Sequence, residues 1–181
     1  MQPHGGYRNL KAYQMSEIVY DITFAFCNRF VEKRSRTHDQ MVQAARSGKQ
    51  NIAEGSMASG TSKKTELKLV GIARASLEEL LLDFEDFLRQ RDLSMWEPTS
   101  AKAQFIRRLA HRENRSYKTY ETYVEEKSAE TAANTAICVI NQTNYLLDKL
   151  KRQLDEAFLR DGGVTERMHR VRTNSRKSQD Q

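Results

Sequence analysis

The residues that could support chemistry form two groups: one glutamate among amides, and a cluster of arginines and tyrosines. Glu54 lies in the segment Gln50-Asn51-Ile52-Ala53-Glu54-Gly55. A catalytic carboxylate needs an orienting partner, and the histidines are scattered without catalytic or metal-ligand spacing. These histidines are His4, His38, His111 and His169. We therefore predict no catalytic residue, no metal site and no cofactor, and we interpret Glu54 as part of a solvated polar face.

The second group lies between Trp96 and Lys127. Arginines that face solvent together attract phosphates through counterion release, and tyrosines can stack on unpaired bases. The residues predicted to contact nucleic acid are Arg107, Arg108, Arg112, Arg115, Tyr117 and Tyr120. The formal net charge of +6 agrees with an anionic partner. The alternative is that these residues are solvated charges beside ordinary packed tyrosines.

The composition favours a helical protein, because 181 residues contain only two prolines and eight glycines, too few for the many turns of a sheet protein. We predict an all-α fold: an antiparallel up-down-up-down four-helix bundle with an additional helical insertion and a C-terminal segment. The predicted organisation is an N-terminal arm at 1–9, the bundle at 10–160 with the insertion at about 94–128, and a short helix with a disordered basic tail at 161–181.

Three features of the sequence indicate the cellular compartment. No apolar run approaches the roughly 20 residues of a membrane span, and the first residues lack the apolar centre of a signal peptide. Cys27 and Cys138 are far apart in apolar surroundings, which is typical of reduced core thiols. We expect a cytoplasmic protein without a membrane partner.

Hydrophobic periodicity predicts where the helices lie. The core helices are predicted at about 10–34, 37–57, 62–88 and 129–160, with a further helical part at 101–111. Helix two is expected to begin at Thr37, whose spacing to Gln40 matches a capping box, and helix three at Ser62 or Thr61. Helix three has the clearest apolar face, formed by Val70, Ala73, Leu77, Leu80, Leu81, Phe84 and Leu88. Its acidic end is expected to lie beside Arg29, Lys33, Arg34 and Arg36.

Two features indicate close helix contacts. Helix one carries apolar residues on two nearly opposite faces, so it must be covered twice, either by the C-terminal part of the chain or by a neighbouring subunit. Helix two carries a strip of small residues that would let another helix approach closely. The resulting candidate self-association interface comprises Tyr13, Tyr20, Phe24, Ala44, Gly48, Asn51 and Gly55.

Several motifs resemble one family. They are Tyr7-Arg8-Asn9-Leu10-Lys11-Ala12-Tyr13-Gln14, Asn51-Ile52-Ala53-Glu54-Gly55, Ser62-Lys63-Lys64 and Ile72-Ala73-Arg74-Ala75-Ser76-Leu77-Glu78-Glu79-Leu80. With them, residues 7–92 and part of the final helix resemble the four-helix-bundle family of ribosomal RNA intervening-sequence proteins. The insertion and the segment after Asn134 look like a longer branch with an extra C-terminal region, and Lys49-Gln50 replaces the usual Ser or Pro before the motif.

This resemblance implies assembly and partners. Known family members form ring-like homopentamers, and a relative, the accessory protein of diversity-generating retroelements, binds a reverse transcriptase and nucleic acid. The chain is thus expected to be a non-catalytic homo-oligomer and an accessory factor that binds RNA or DNA, with a reverse transcriptase or another protein as partner. The alternative is a protein-interaction scaffold without a nucleic-acid role, whose partner would bind regardless of salt. An enzyme is disfavoured.

Overall fold

A computed structural model describes residues 6–161, which contain helices and no strand. The helices are α1 Lys11–Phe30, α2 Arg36–Ala58, α3 Lys63–Gln90, α4 Ala101–Leu109 and α5 Ala129–Asp161. Short turns are 3₁₀-helical at Gly6–Asn9 and Tyr117–Thr119, and π-helical at Thr122–Glu126. The prediction of an all-α bundle is confirmed. The short helix and tail predicted beyond α5 lie outside the described residues.

Four long helices form a ring in which α1 and α3 each pack between α2 and α5. Cross-helix contacts show that α3 and α5 are antiparallel, because Arg74 contacts Asp148 while the later Glu78 contacts the earlier Asn144. Between α1 and α2, the Lys49 ammonium lies 4.5 Å from the centre of the Tyr20 ring. The long connection from α3 to α5 carries α4, which packs on α5.

Helices α2 to α5 each begin after a serine whose side chain accepts a backbone hydrogen bond, whereas α1 has no side-chain cap. Of the two predicted caps of α3, Ser62 is the one observed, accepting from the Thr65 N–H at 3.1 Å. The prediction that Thr37 caps α2 is wrong. Ser35 has the extended backbone that a cap requires and accepts from the His38 N–H at 3.2 Å, so α2 begins at Arg36.

The core confirms the predicted face of α3, since all seven of its residues are buried. Phe26 of α1 meets Phe84 and Phe87 edge-on, with ring centres 4.8 Å apart in both pairs. Both cysteines are buried and unpaired, and burial, with the charge of Asp83 adding to it, raises the pKa of Cys27 to about 12. The thiol is therefore neutral and serves as a packing group.

The small-residue strip of α2 is covered by α3 of the same chain. A Cβ added at Gly48 would lie 2.6 Å from Cδ2 of Leu77, and one added at Gly55 would lie 3.4 Å from the Glu66 carbonyl oxygen. Ala44 is also buried, whereas Asn51 is half-buried and donates to the Ser47 carbonyl at 2.8 Å. The close helix approach occurs within one chain, which corrects the assignment of Ala44, Gly48 and Gly55 to an interface between subunits.

The second face of α1 is also covered largely by the chain itself. Tyr13 and Cys27 are buried and Tyr20 is partly covered, while Phe24 is 50% exposed. Arg29, which was expected beside the acidic end of α3, instead donates to the carbonyls of Val124 and Lys127 at 2.8 and 2.7 Å. The connection that contains α4 is thus fastened to α1.

Candidate nucleic-acid interface

A cavity of about 570 Å³ lies between the beginning of α1, the end of α4 and the middle of α5. We call it the basic cavity. Its lining is Lys11, Met15, Arg107, Ala110, His111, Arg115, Asn141, Gln142, Tyr145 and Leu146. The volume is in the range of small-molecule sites, about 300–1,000 Å³.

Hydrogen bonds from the surrounding elements orient the two arginines of the basic cavity. Arg107 donates from Nη1 to the Pro98 carbonyl at 3.0 Å, and its own carbonyl accepts from Nε2 of Gln142 at 3.0 Å. Arg115 donates from Nη2 to Oε1 of Gln14 at 3.1 Å. A guanidinium has five N–H donors, so each arginine retains donors for a ligand after these contacts.

The electrostatic character of the basic cavity comes from its one-sided charge. Lys11, Arg107, His111 and Arg115 contribute basic side chains, and among the described lining residues there is no carboxylate. Helix α1 begins here with no side-chain cap and no acidic residue in its first turn, which leaves its positive end uncompensated. A concave site with one sign of charge focuses the field and concentrates anions.

Two buried polar atoms in the lining have no partner within the described part of the chain. They are Nε of Arg115, a donor, and Oε1 of Gln142, an acceptor. Buried polar groups are normally hydrogen-bonded, and leaving one unpaired costs about 1–3 kcal/mol. Arg115 and Gln142 therefore each carry an unsatisfied polar atom in the wall of the cavity.

The predicted arginines occupy two kinds of position. Arg107 and Arg115 are half-buried in the cavity wall, whereas Arg108 and Arg112 are exposed. We call these four arginines, with Lys11 and His111, the basic surface.

The predicted tyrosines lie in less accessible positions than the arginines. Tyr117 is half-buried and its hydroxyl donates to Glu125; burial first, and then this bond, raise the pKa of Tyr117. Tyr120 is 0% exposed. Its burial raises its pKa to about 12 although the charge of Arg115 opposes the rise. The prediction that Tyr120 stacks on bases is wrong, because the ring is packed in the core beneath the arginines.

Sequence reasoning missed the residues that α1 and α5 bring to the basic cavity. Lys11, Asn141, Gln142 and Tyr145 are more than twenty-five positions from the arginine cluster in the chain, and only folding places them together. A signal did exist: Asn141, Gln142 and Asn144 interrupt the apolar pattern of the final helix. Gln142 is half-buried and Asn144 buried, and polar residues on the packed side of a helix indicate a site or a network.

The segment Asn51-Ile52-Ala53-Glu54-Gly55 lies on the α2–α3 side of the bundle rather than in the cavity. Ile52 and Gly55 are buried, Asn51 and Ala53 are half-buried, and Glu54 is exposed. The exposure of Glu54 agrees with a solvated polar face. Within residues 6–160, no cluster of three or more side chains that could hold a metal ion is found.

A comparison of the chain with protein-family models, curated proteins and solved structures finds no match. The fold defines the structural class, which is an all-α bundle with a basic cavity. None of the helices between residues 6 and 161 combines the length and the apolar character needed to cross a bilayer.

Proposed function

We propose that this protein is a non-catalytic accessory factor that binds RNA or DNA at the basic surface. The observation that carries the proposal is the basic cavity, where four basic side chains converge and the described lining contains no carboxylate. Phosphate oxygens match the guanidinium donors in charge and geometry. The exposed Arg108 and Arg112 extend the same charge beyond the cavity.

Binding of this kind positions a backbone without reading its sequence. Affinity should therefore depend steeply on salt and weakly on base composition, because each phosphate contact releases counterions. A titration of fluorescently labelled RNA and DNA oligonucleotides by anisotropy at several salt concentrations measures both properties.

The double variant Arg108→Ala/Arg112→Ala tests the proposed surface. It should weaken binding about equally for every sequence and reduce the slope of log affinity against log salt by roughly one per lost contact. The control is Lys64→Ala/Lys68→Ala, which removes two exposed lysines near the beginning of α3. Absence of wild-type binding at low salt would refute the proposal and favour the scaffold.

The proposal includes membership of the ribosomal RNA intervening-sequence protein family, a cytoplasmic location, and a reverse transcriptase or another protein as partner. Support for the family comes from the motifs named above and from the four-helix ring in which they lie. Support for the location comes from two buried cysteines that stay unpaired. Copurification of a reverse transcriptase encoded near the gene would test the partner.

Self-association, with a homopentamer as the expected form, is also part of the proposal. Since α3 covers the glycine strip, an interface between copies must use other residues. Phe24 and Leu82 are 50% and 55% exposed on the outside of the bundle, which favours further contacts at α1 and α3. A light-scattering mass equal to one chain at micromolar concentration would contradict assembly.

A further inference from the structure

A second depression, separate from the basic cavity, lies on the opposite side of α4. It has a volume of about 420 Å³ and its lining is largely apolar. The lining residues are Trp96, Ala101, Lys102, Phe105, Ile106, Tyr123, Lys127 and Thr131. We call it the aromatic groove. Helix α4 is the wall common to both depressions, because its residue Arg107 lines the basic cavity.

The ring positions leave aromatic surface open in the aromatic groove. Phe105 is 41% exposed, and its ring centre lies 5.8 Å from that of Tyr123 in a tilted arrangement. Trp96 is half-buried, with the Lys102 ammonium 5.5 Å from its ring centre. An exposed ring beside two further rings is a surface on which a flat apolar group can stack.

Both walls of the groove are held in place by buried or charged hydrogen bonds. Asn134 accepts from the Trp96 backbone N–H at 2.7 Å and donates to the Ser94 carbonyl at 2.8 Å. On the other wall, Arg29 binds the carbonyls of Val124 and Lys127. A groove held open in this way binds without a large ordering cost.

The positive charge of the aromatic groove indicates which kind of ligand it can bind. Lys102 and Lys127 line it, and no carboxylate is among the described lining residues. The matching ligand combines flat, apolar faces with a negative charge. Single-stranded nucleic acid has this combination, whereas the bases of a duplex are stacked inside and cannot reach the rings.

We propose that the aromatic groove stacks unpaired bases, so that a single strand whose phosphates lie on Arg108 and Arg112, the exposed part of the basic surface, places its bases on Phe105 and Trp96. This inference rests on the proposed function and deepens it, since it specifies single strands over duplexes. It also assigns a role to the insertion, which supplies α4 and most of the groove.

The sole tryptophan of the chain is Trp96, which provides a direct reporter. Titration with a single-stranded oligothymidylate should quench its fluorescence, while the matching duplex should bind at low salt with little quenching. Unchanged Trp96 emission at saturating single strand would overturn the inference. Failure of the proposed function looks different, because neither the strand nor the duplex would then change the anisotropy of a labelled oligonucleotide.

The variant Phe105→Ala should weaken single-strand binding by roughly 5- to 100-fold, the equivalent of one stacked base, and leave duplex binding unchanged. Its salt slope should match that of the wild type because no phosphate contact is lost. Phe105→Tyr should restore affinity, and Met57→Ala, which removes an exposed apolar side chain on α2, is the matched control. Equal single-strand affinity of Phe105→Ala and the wild type would overturn the inference, as would capture of the groove by an acidic peptide that the oligonucleotide cannot displace.

Discussion

The contact between α2 and α3 and the basic cavity between α1, α4 and α5 show two opposite ways of joining helices. At the first, Gly48 lets Leu77 fill the space between the helices completely. At the second, long basic and amide side chains line an opening of about 570 Å³. Small residues let two helices close on one side of the bundle, and long basic and amide side chains surround an opening on the other. The closed side stabilises the fold, and the open side is free to bind.

The largest effect is expected when a bulky side chain is introduced into the close contact between α2 and α3. Gly48→Leu places a side chain where even a Cβ would lie 2.6 Å from buried Leu77. We expect a loss of about 1–3 kcal/mol in the free energy of unfolding, measured by urea denaturation.

Gly71 provides the control for this prediction, because a Cβ added there meets no atom within 4 Å. Gly71→Ala should stabilise the protein by up to about 1 kcal/mol through helix propensity alone. A stable Gly48→Leu variant would show that α2 and α3 are not in the close contact described above.

A smaller effect is expected when a negative charge is introduced into the basic cavity. Lys11→Glu introduces a carboxylate into the basic cavity and should weaken low-salt oligonucleotide binding about tenfold, equivalent to roughly 1–2 kcal/mol. Lys64→Glu makes the same charge change near the beginning of α3 and should have little effect. Anisotropy titrations compare the two, and equal losses would show that net charge alone drives binding.

The smallest effect is expected at the acidic end of α3, where Asp83 borders α2. Burial first, and then the charges of Glu79 and Asp86, raise the pKa of Asp83 above its ordinary value. Ionised Asp83 therefore destabilises the fold at neutral pH, and this penalty disappears as pH falls through the folded-state pKa. Asp83→Asn should stabilise the protein at pH 7 by less than about 1 kcal/mol.

Thermal unfolding at several pH values checks this prediction. The advantage of Asp83→Asn over the wild type should shrink as the pH falls toward the ordinary range of a carboxyl group, about pH 4. An advantage that is constant with pH would assign the gain to packing rather than to charge.

The sequence predicted those features that depend on neighbours along one helix. The face of α3 follows from spacing alone, and Ser62 caps it because the serine directly precedes the periodic stretch. The start of α2 was misplaced because Ser35 and Thr37 are both competent caps, and only the folded backbone decides between them.

Only the part of the candidate site that lies close together in the sequence could be predicted. The arginines are close together in the chain, so composition reveals them, whereas Lys11 and Gln142 join them only through the packing of α1 and α5. The burial of Tyr120 likewise depends on how the insertion folds onto the bundle. The local residue pattern of one segment does not show how that segment packs against the rest of the chain.

Photocrosslinking of a thiouridine-containing oligonucleotide, followed by mass spectrometry, locates bound nucleic acid on the chain and so tests binding at the basic surface. We expect crosslinks in the segment 101–116, in the first turns of α1 and around residues 141–146. Crosslinks confined to the α2–α3 side, such as residues 43–47 and 63–68, would contradict it.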